Sequence, residues 1–139
     1  PFYETGLFSP DGRWMAYVSD ESKSYEVYVQ SFPAGGGKWQ VSTNGGLQPR
    51  WRHDGKEFFY LAPDGKMMSV AVKAGTAFEA GTPEPLFQTR IYGLAVNQFY
   101  SQQYDVTPDG QRFLLNVDVA DVNAAPLTVV LDWIATLQK

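Results

Sequence analysis

The sequence contains no cysteine and one histidine, His53. The absence of cysteine excludes disulfide bonds, thiolate metal sites and cysteine nucleophiles. The chain also lacks any apolar run near the roughly 20 residues that a membrane helix needs, so we expect a soluble domain with no direct membrane insertion. Positive charge is scarce as well, with 11 Lys and Arg against 15 Asp and Glu and a net charge of -4. Because nucleic-acid-binding proteins usually concentrate positive charge on one face, we expect no nucleic acid as a partner.

The sequence does contain a repeated acidic turn. Ser-Pro-Asp-Gly at 9–12 returns as Arg-His-Asp-Gly at 52–55 and as Thr-Pro-Asp-Gly at 107–110. Each copy is followed by a run of aromatic and aliphatic residues typical of a β-strand. Asp11 and Asp54 lie 43 positions apart, and Asp54 and Asp109 lie 55 apart. The first spacing fits a propeller blade of about 40 to 50 residues, and the second exceeds it by roughly the extra length of the loop at 90–101.

The strand pattern predicts an all-β chain of three β-propeller blades, each an antiparallel meander. We expect the blades at about 5–43, 47–89 and 102–139. The predicted strands are 5–9, 13–19, 25–32 and 39–42 in the first blade, 48–52, 57–62, 67–73 and 85–88 in the second, and 103–107, 112–117 and 127–133 in the third. The third blade therefore lacks its fourth, outer strand.

The segments at 8–21, 25–29 and 50–61 resemble the TolB-type, WD-repeat-like propeller repeats of bacteria. More narrowly, they resemble the propeller at the C-terminal end of bacterial membrane-associated serine/threonine kinases, and 129–133 resembles the closing strand of such chains. The resemblance covers essentially the whole chain. It implies a noncatalytic binding, scaffold or sensor module for a protein or peptide, in a periplasmic or other extracytoplasmic setting. A propeller gating a serine peptidase and a TolB-like periplasmic scaffold remain open as alternatives, because fold does not settle function.

Three blades are too few for a closed ring, since propellers close with about four to eight. Two blade faces would then lack a neighbour. The chain also begins at Pro1 without an initiator Met, so we expect it to be part of a longer chain. The alternative is a homo-oligomer in which two copies complete a six-bladed ring, with residues 1–4 of one copy supplying the strand missing from the other.

Arg50 and Asp105 occupy one position of successive innermost strands when the repeats are aligned by their turns. Side chains at this position of a propeller either bridge neighbouring blades or line the central channel. We favour an interblade ion pair over a polar channel site, and Gln48 and Arg52 would extend the same polar wall. The residues Phe8, Trp51 and Val106 align in the same way, and we expect them to be buried between blades.

The loop at 90–101 is the main departure from the repeat. Its aromatic residues Tyr92, Phe99 and Tyr100 lie on the rim that also carries the acidic loops at 20–24, 63–66 and 118–126. An aromatic loop on an acidic rim is suited to contact a protein or peptide. The alternative is that these side chains fold back over an exposed blade edge.

No residue pattern indicates catalysis, a metal site or a cofactor. His53 stands in the turn position that Pro10 and Pro108 occupy in the other copies, which favours a structural turn residue. The acidic segment 118–123 lacks the ligand spacing of a calcium loop. We therefore expect a chain that is not an enzyme and that binds no cofactor.

Overall fold

The computed structural model describes residues 6–74, 76–91, 102–117 and 127–130, and this part of the chain is all-β. Within it, no helix is long and apolar enough to cross a membrane. The strands in chain order are β1 (Leu7–Phe8), β2 (Trp14–Ser19), β3 (Glu26–Ser31), β4 (Lys38–Gln40), β5 (Leu47–Trp51), β6 (Glu57–Leu61), β7 (Lys66–Ala74), β8 (Phe78–Ala80), β9 (Glu84–Gln88), β10 (Tyr104–Val106), β11 (Phe113–Asn116) and β12 (Leu127–Val130).

The first sheet is a four-stranded antiparallel meander in the order β1-β2-β3-β4. Its two central strands pair over their full length, with Tyr17 opposite Tyr28 and Val18 opposite Val27. Their alternating β-branched and aromatic residues suit a pleated surface that is covered by neighbours. The strand order is the one predicted, although β1 is shorter than the predicted 5–9.

The second sheet has its outer strand in two pieces. It runs β5-β6-β7-β8, and β9 also pairs with β7. The nine-residue β7 pairs with β8 at its end, Val72 to Ala74, and with β9 at its start, Lys66 to Ser69. The sequence predicted one outer strand at 85–88 after a loop, and the structure adds β8. The Gly-Thr-Pro segment at 81–83 separates the two pieces, since glycine and proline disfavour a continuous strand.

The third sheet is antiparallel in the order β10-β11-β12, and no fourth strand joins it within the described residues. Asp105 lies opposite Leu114, and Leu114 lies opposite Val129. The predicted third strand ran from 127 to 133; residues 131–133 lie outside the described residues, as do residues 1–4.

Two apolar clusters hold the three sheets together. Trp14, Val18 and Val29 of the first sheet pack against Phe58 and Tyr60 of β6. The other face of β6 packs against the third sheet, where Phe59 and Leu61 meet Tyr104, Phe113 and Leu115. The second sheet is therefore covered on both faces, as a propeller blade requires.

The expected burial of one aligned set is wrong for Phe8. This side chain is 52% exposed, while Trp51 and Val106 are only partly buried. The Trp51 ring packs edge-on against Phe58, with ring centroids 4.9 Å apart, and its Nε1–H donates to the backbone oxygen of Leu7 at 3.1 Å. The sequence could not anticipate the exposure of Phe8, because it depends on where the neighbouring sheets end.

Packing of the third sheet on the second can be tested with two adjacent residues. Phe113 is fully buried, and its ring centroid lies 5.0 Å from that of Phe59. We expect Phe113→Ala to lower the free energy of unfolding by about 3 to 5 kcal/mol. Leu114 is 43% exposed, so Leu114→Ala should cost no more than about 0.5 kcal/mol. Urea unfolding followed by tryptophan fluorescence measures both, and equal losses would contradict this packing.

Candidate functional site

The three repeated turns share one backbone hydrogen-bond pattern. In each, the glycine N–H donates to the oxygen of the first turn residue, from Gly12 to Ser9 at 2.9 Å, from Gly55 to Arg52 at 2.9 Å and from Gly110 to Thr107 at 2.8 Å. The glycines have φ of 70°, 71° and 74°, the left-handed conformation that glycine adopts at little cost. The turns therefore bring each innermost strand back along its neighbour in the same way.

The turn aspartates act as hydrogen-bond acceptors inside the turns. The Ser9 hydroxyl donates to Asp11 at 2.6 Å and lowers the pKa of that carboxyl. The Thr107 hydroxyl donates to Asp109 and lowers its pKa in the same way. Both aspartates also accept the backbone N–H two residues further on. A carboxyl whose pKa is lowered stays ionised at neutral pH, so these residues are turn closers and are unsuited to general acid catalysis.

The innermost strands and their turns form one groove, with a volume of about 360 Å³. Equivalent positions of the three repeats line it. Its walls are Leu7, Phe8 and Pro10 from the first sheet, Arg50, Trp51 and His53 from the second, and Asp105, Val106, Thr107 and Pro108 from the third. We call this cavity the inner-strand groove.

The three repeats supply different chemistry at the same position of the inner-strand groove. Phe8, Trp51 and Val106 are equivalent in the three repeats. The residue before each of them is Leu7 in the first repeat, Arg50 in the second and Asp105 in the third, and all three line the groove. The groove therefore has an apolar side, a central cation and an acidic side. His53 is exposed at its margin, where the other repeats have proline.

Hydrogen bonds between sheets fix the spacing of the inner strands. The Gln48 side chain accepts from the Gln103 backbone N–H at 2.8 Å and donates to the Gln103 side-chain oxygen at 3.2 Å. The Tyr104 hydroxyl donates to the backbone oxygen of Gln48 at 2.8 Å. Gln48 is 2% exposed and has φ of 53°, within the irregularity between Leu47 and Arg50. It thus bridges the second and third sheets and does not line the groove.

The two arginines at the end of β5 have different surroundings. Arg50 lines the groove, and its Nε lies 4.0 Å from Oδ1 of Asp105, an ion pair between the second and third sheets. Arg52 turns away: its Nη1 donates to Glu57 at 3.1 Å and its Nη2 lies 3.3 Å from Asp54. Arg52 thus does not extend the polar wall formed by Arg50 and Asp105.

The predicted aromatic contact surface, Tyr92, Phe99 and Tyr100, lies outside the described residues and stays a prediction, as does the segment 118–123. The start of that loop is anchored: Thr89 donates its side-chain hydroxyl to the backbone oxygen of Gly65 at 2.6 Å, and Ile91 is buried. These residues lie at the 63–65 hairpin, on the rim opposite the inner-strand groove. Within the described ranges, no group of three or more His, Asp or Glu is placed to hold a metal ion.

An exposed aromatic pair beside the groove was missed by sequence reasoning. Phe8 and Phe32 are each 52% exposed, and their rings meet edge-on with centroids 4.9 Å apart. The sequence pattern predicts Phe32 only as the end of the strand at 25–32. No local signal distinguishes it from a core residue, because its exposure follows from the open end of the first sheet.

Comparison with solved structures shows which fold this is. The chain is similar to an oligogalacturonate lyase from Vibrio parahaemolyticus, with 12% identity, a TM-score of 0.53 and coverage of 81% of this chain and 27% of that one. It is also similar to a candidate 6-phosphogluconolactonase from Bacteroides uniformis, with 19% identity, a TM-score of 0.52 and coverage of 81% and 32%. A TolB from Acinetobacter baumannii has 16% identity, a TM-score of 0.41 and coverage of 94% and 44%. No protein-family model and no curated protein matches the chain.

The chain has a β-propeller fold, as its sequence predicts. At these identities the likeness shows the fold alone, and the TM-score of the TolB structure is too low to add to it. The chain spans 27% and 32% of the first two similar chains, between about a quarter and a third of their length.

The bridge through Gln48 gives a prediction about stability. Gln48→Ala removes the acceptor of the Gln103 N–H in a buried setting, and we expect it to lower the free energy of unfolding by about 1 to 3 kcal/mol. The control is Gln102→Ala, because Gln102 is exposed and its replacement should cost no more than about 0.5 kcal/mol. Chemical unfolding of both variants measures the difference. Equal stability would exclude Gln48 as a tie between the sheets.

Proposed function

We propose that the chain is a noncatalytic binding module of a longer bacterial β-propeller protein, and that it binds a protein segment or peptide in the inner-strand groove. One observation carries this proposal. Equivalent positions of three repeats converge on a single groove, and there the repeats differ in chemistry, with Leu7, Arg50 and Asp105 side by side. The turns of the same repeats, in contrast, all keep an Asp-Gly pair and the same backbone hydrogen bond. The repeats share one fold but carry different side chains at this position of the groove. We therefore attribute the difference to ligand recognition and not to a requirement of folding.

The exposed aromatic side of the groove supports a peptide as the ligand. Phe8 lines the groove and is 52% exposed, beside the equally exposed Phe32. Exposed aromatic rings next to a charged group are typical of surfaces that bind proteins, because they bury apolar area at a small cost in side-chain entropy.

The noncatalytic part of the proposal rests on the sequence, which has no cysteine and a single histidine. The longer chain is supported by the coverage of 27% and 32% of the two similar structures. A kinase, a serine peptidase or a TolB-like scaffold as the whole protein stays a prediction from sequence resemblance, and flanking sequence distinguishes them. A kinase signature upstream would favour the first and a Gly-X-Ser-X-Gly segment downstream the second.

Peptide binding can be tested by panning a random heptapeptide display library against the whole chain. We expect enriched peptides whose affinity falls about tenfold in Phe8→Ala, because a partly exposed ring that becomes covered contributes about 1 to 2 kcal/mol. Phe8→Leu is the conservative control and should keep most of the affinity. Phe8→Ala also loses the edge-on contact with Phe32, so it should lower the free energy of unfolding by about 0.5 to 1.5 kcal/mol, too little to unfold the chain. Failure to enrich any peptide, or equal binding by Phe8→Ala, would contradict this proposal.

We also propose that the end sheets are covered in the working molecule, by further blades or by a second copy. Leu114 is 43% exposed on the third sheet and does not line the inner-strand groove. Light scattering at micromolar concentration should give twice the 15.5 kDa chain mass if two copies complete a ring. Leu114→Glu should then reduce the mass to that of one chain. A compact monomer of the unchanged protein would exclude the ring of two copies.

A further inference from the structure

The two arginines of the second repeat differ in how well their charge is neutralised. Arg52 has two carboxylates within reach, Glu57 at 3.1 Å and Asp54 at 3.3 Å. The ionic partner of Arg50 among the described residues is Asp105, and the 4.0 Å between them exceeds the range of a hydrogen bond. The Nε atoms of both arginines are buried and have no hydrogen-bond acceptor in the described part of the chain. The two residues therefore differ in their Nη atoms, each of which has a carboxylate within reach in Arg52. Among the described residues, Arg50 therefore has the weaker ionic neutralisation of the two arginines.

Among the described residues, no carboxylate other than that of Asp105 is paired with Arg50. Tyr104 lies close enough to interact electrostatically with it, but burial raises the pKa of Tyr104 well above its ordinary value, so that the phenol remains neutral. Its hydroxyl already donates to Gln48. The ion pair of Asp105 with Arg50 is weak, because the Asp105 side chain is 67% exposed to solvent. Its carboxylate also accepts a hydrogen bond from the adjacent Val106 N–H at 2.9 Å. A carboxylate in the groove would meet a cation whose internal partner is distant and mostly solvated.

The arrangement of side chains in the inner-strand groove suits a ligand that has a carboxylate and a neighbouring apolar group. Arg50 lies between the apolar side at Phe8 and the acidic side at Asp105. A guanidinium presents N–H donors in a planar fork that matches a carboxylate, and hydrogen bonds between two ionised groups are about twice as strong as neutral ones. An apolar side chain next to that carboxylate would cover Phe8.

We propose that the groove recognises an acidic peptide segment, whose side-chain carboxylate hydrogen bonds to the guanidinium of Arg50 in place of Asp105 while a neighbouring apolar side chain packs on Phe8. This inference rests on the proposed function and adds the class of ligand. Asp105 acts as an internal competitor that a matching carboxylate displaces, which gives selectivity for acidic over neutral segments.

Two sets of capped synthetic peptides test the charge requirement. Each peptide of the first set carries one Phe and one Glu separated by zero to three Gly, and the second set has Gln in place of Glu. We expect at least one Glu peptide to bind the whole chain about tenfold or more tightly than its Gln counterpart, as calorimetry measures. Arg50→Gln should abolish that difference. Arg13→Gln, which removes an exposed arginine outside the groove, should preserve it.

A further variant separates recognition from a purely structural ion pair. Asp105→Asn keeps an oxygen for the Val106 N–H but removes the competing charge, so it should tighten binding of the Glu peptide about threefold or more. Unchanged binding in Asp105→Asn together with unchanged binding in Arg50→Gln would overturn the inference. Equal binding of Glu and Gln peptides, both weakened by Phe8→Ala, would overturn it while leaving the proposed function intact. A phosphoserine peptide that binds more than tenfold tighter than the Glu peptide would overturn the choice of carboxylate.

Discussion

The packing of strand β6 between two sheets is the contact on which the rest of the structure depends. Its residues Phe58 and Tyr60 face the first sheet, and Phe59 and Leu61 face the third. Four consecutive large side chains that are almost fully buried require cover on both sides of the strand. Because the second sheet is covered twice, the three sheets stack in series and their first strands, β1, β5 and β10, come side by side. The inner-strand groove follows from this stacking.

The repeated turn keeps the geometry constant while the chemistry at the groove changes. In the first and third copies a hydroxyl, from Ser9 or Thr107, accepts a backbone N–H across the turn. The second copy has Arg52 there, yet its backbone still pairs with Glu57, N–H to oxygen at 2.9 Å. The turn therefore tolerates a different side chain, and the arginine binds the Glu57 carboxylate instead. Chemical differences between the repeats can accumulate without loss of the fold.

The strands and turns could be predicted because their signals are local. Alternation with a period of two residues and an Asp-Gly turn are both read within a few positions. The different surroundings of Arg50 and Arg52 were harder to predict. The two residues are two positions apart, and side chains two positions apart on a strand are expected to share a face. The turn places Arg52 opposite Glu57, so that the two side chains form an ion pair. This cross-strand pairing is the sequence feature that could have predicted the different position of Arg52. The exposure of Phe8 and the division of the outer strand into β8 and β9 depend on sheet edges, which no local pattern encodes.

The ties between the inner strands bear on how the groove would bind. Trp51 donates a hydrogen bond to the backbone of Leu7, and Gln48 forms hydrogen bonds with Gln103. These contacts fix the spacing of the three inner strands in the absence of a ligand. A preformed groove spares the ligand the cost of ordering the protein. In the proposed complex, the group displaced within the described residues is the exposed carboxylate of Asp105. Under this proposal, selectivity would depend on whether the ligand offers a better anion to Arg50 than Asp105 does. A neutral segment of the same shape would leave the ion pair between Arg50 and Asp105 in place.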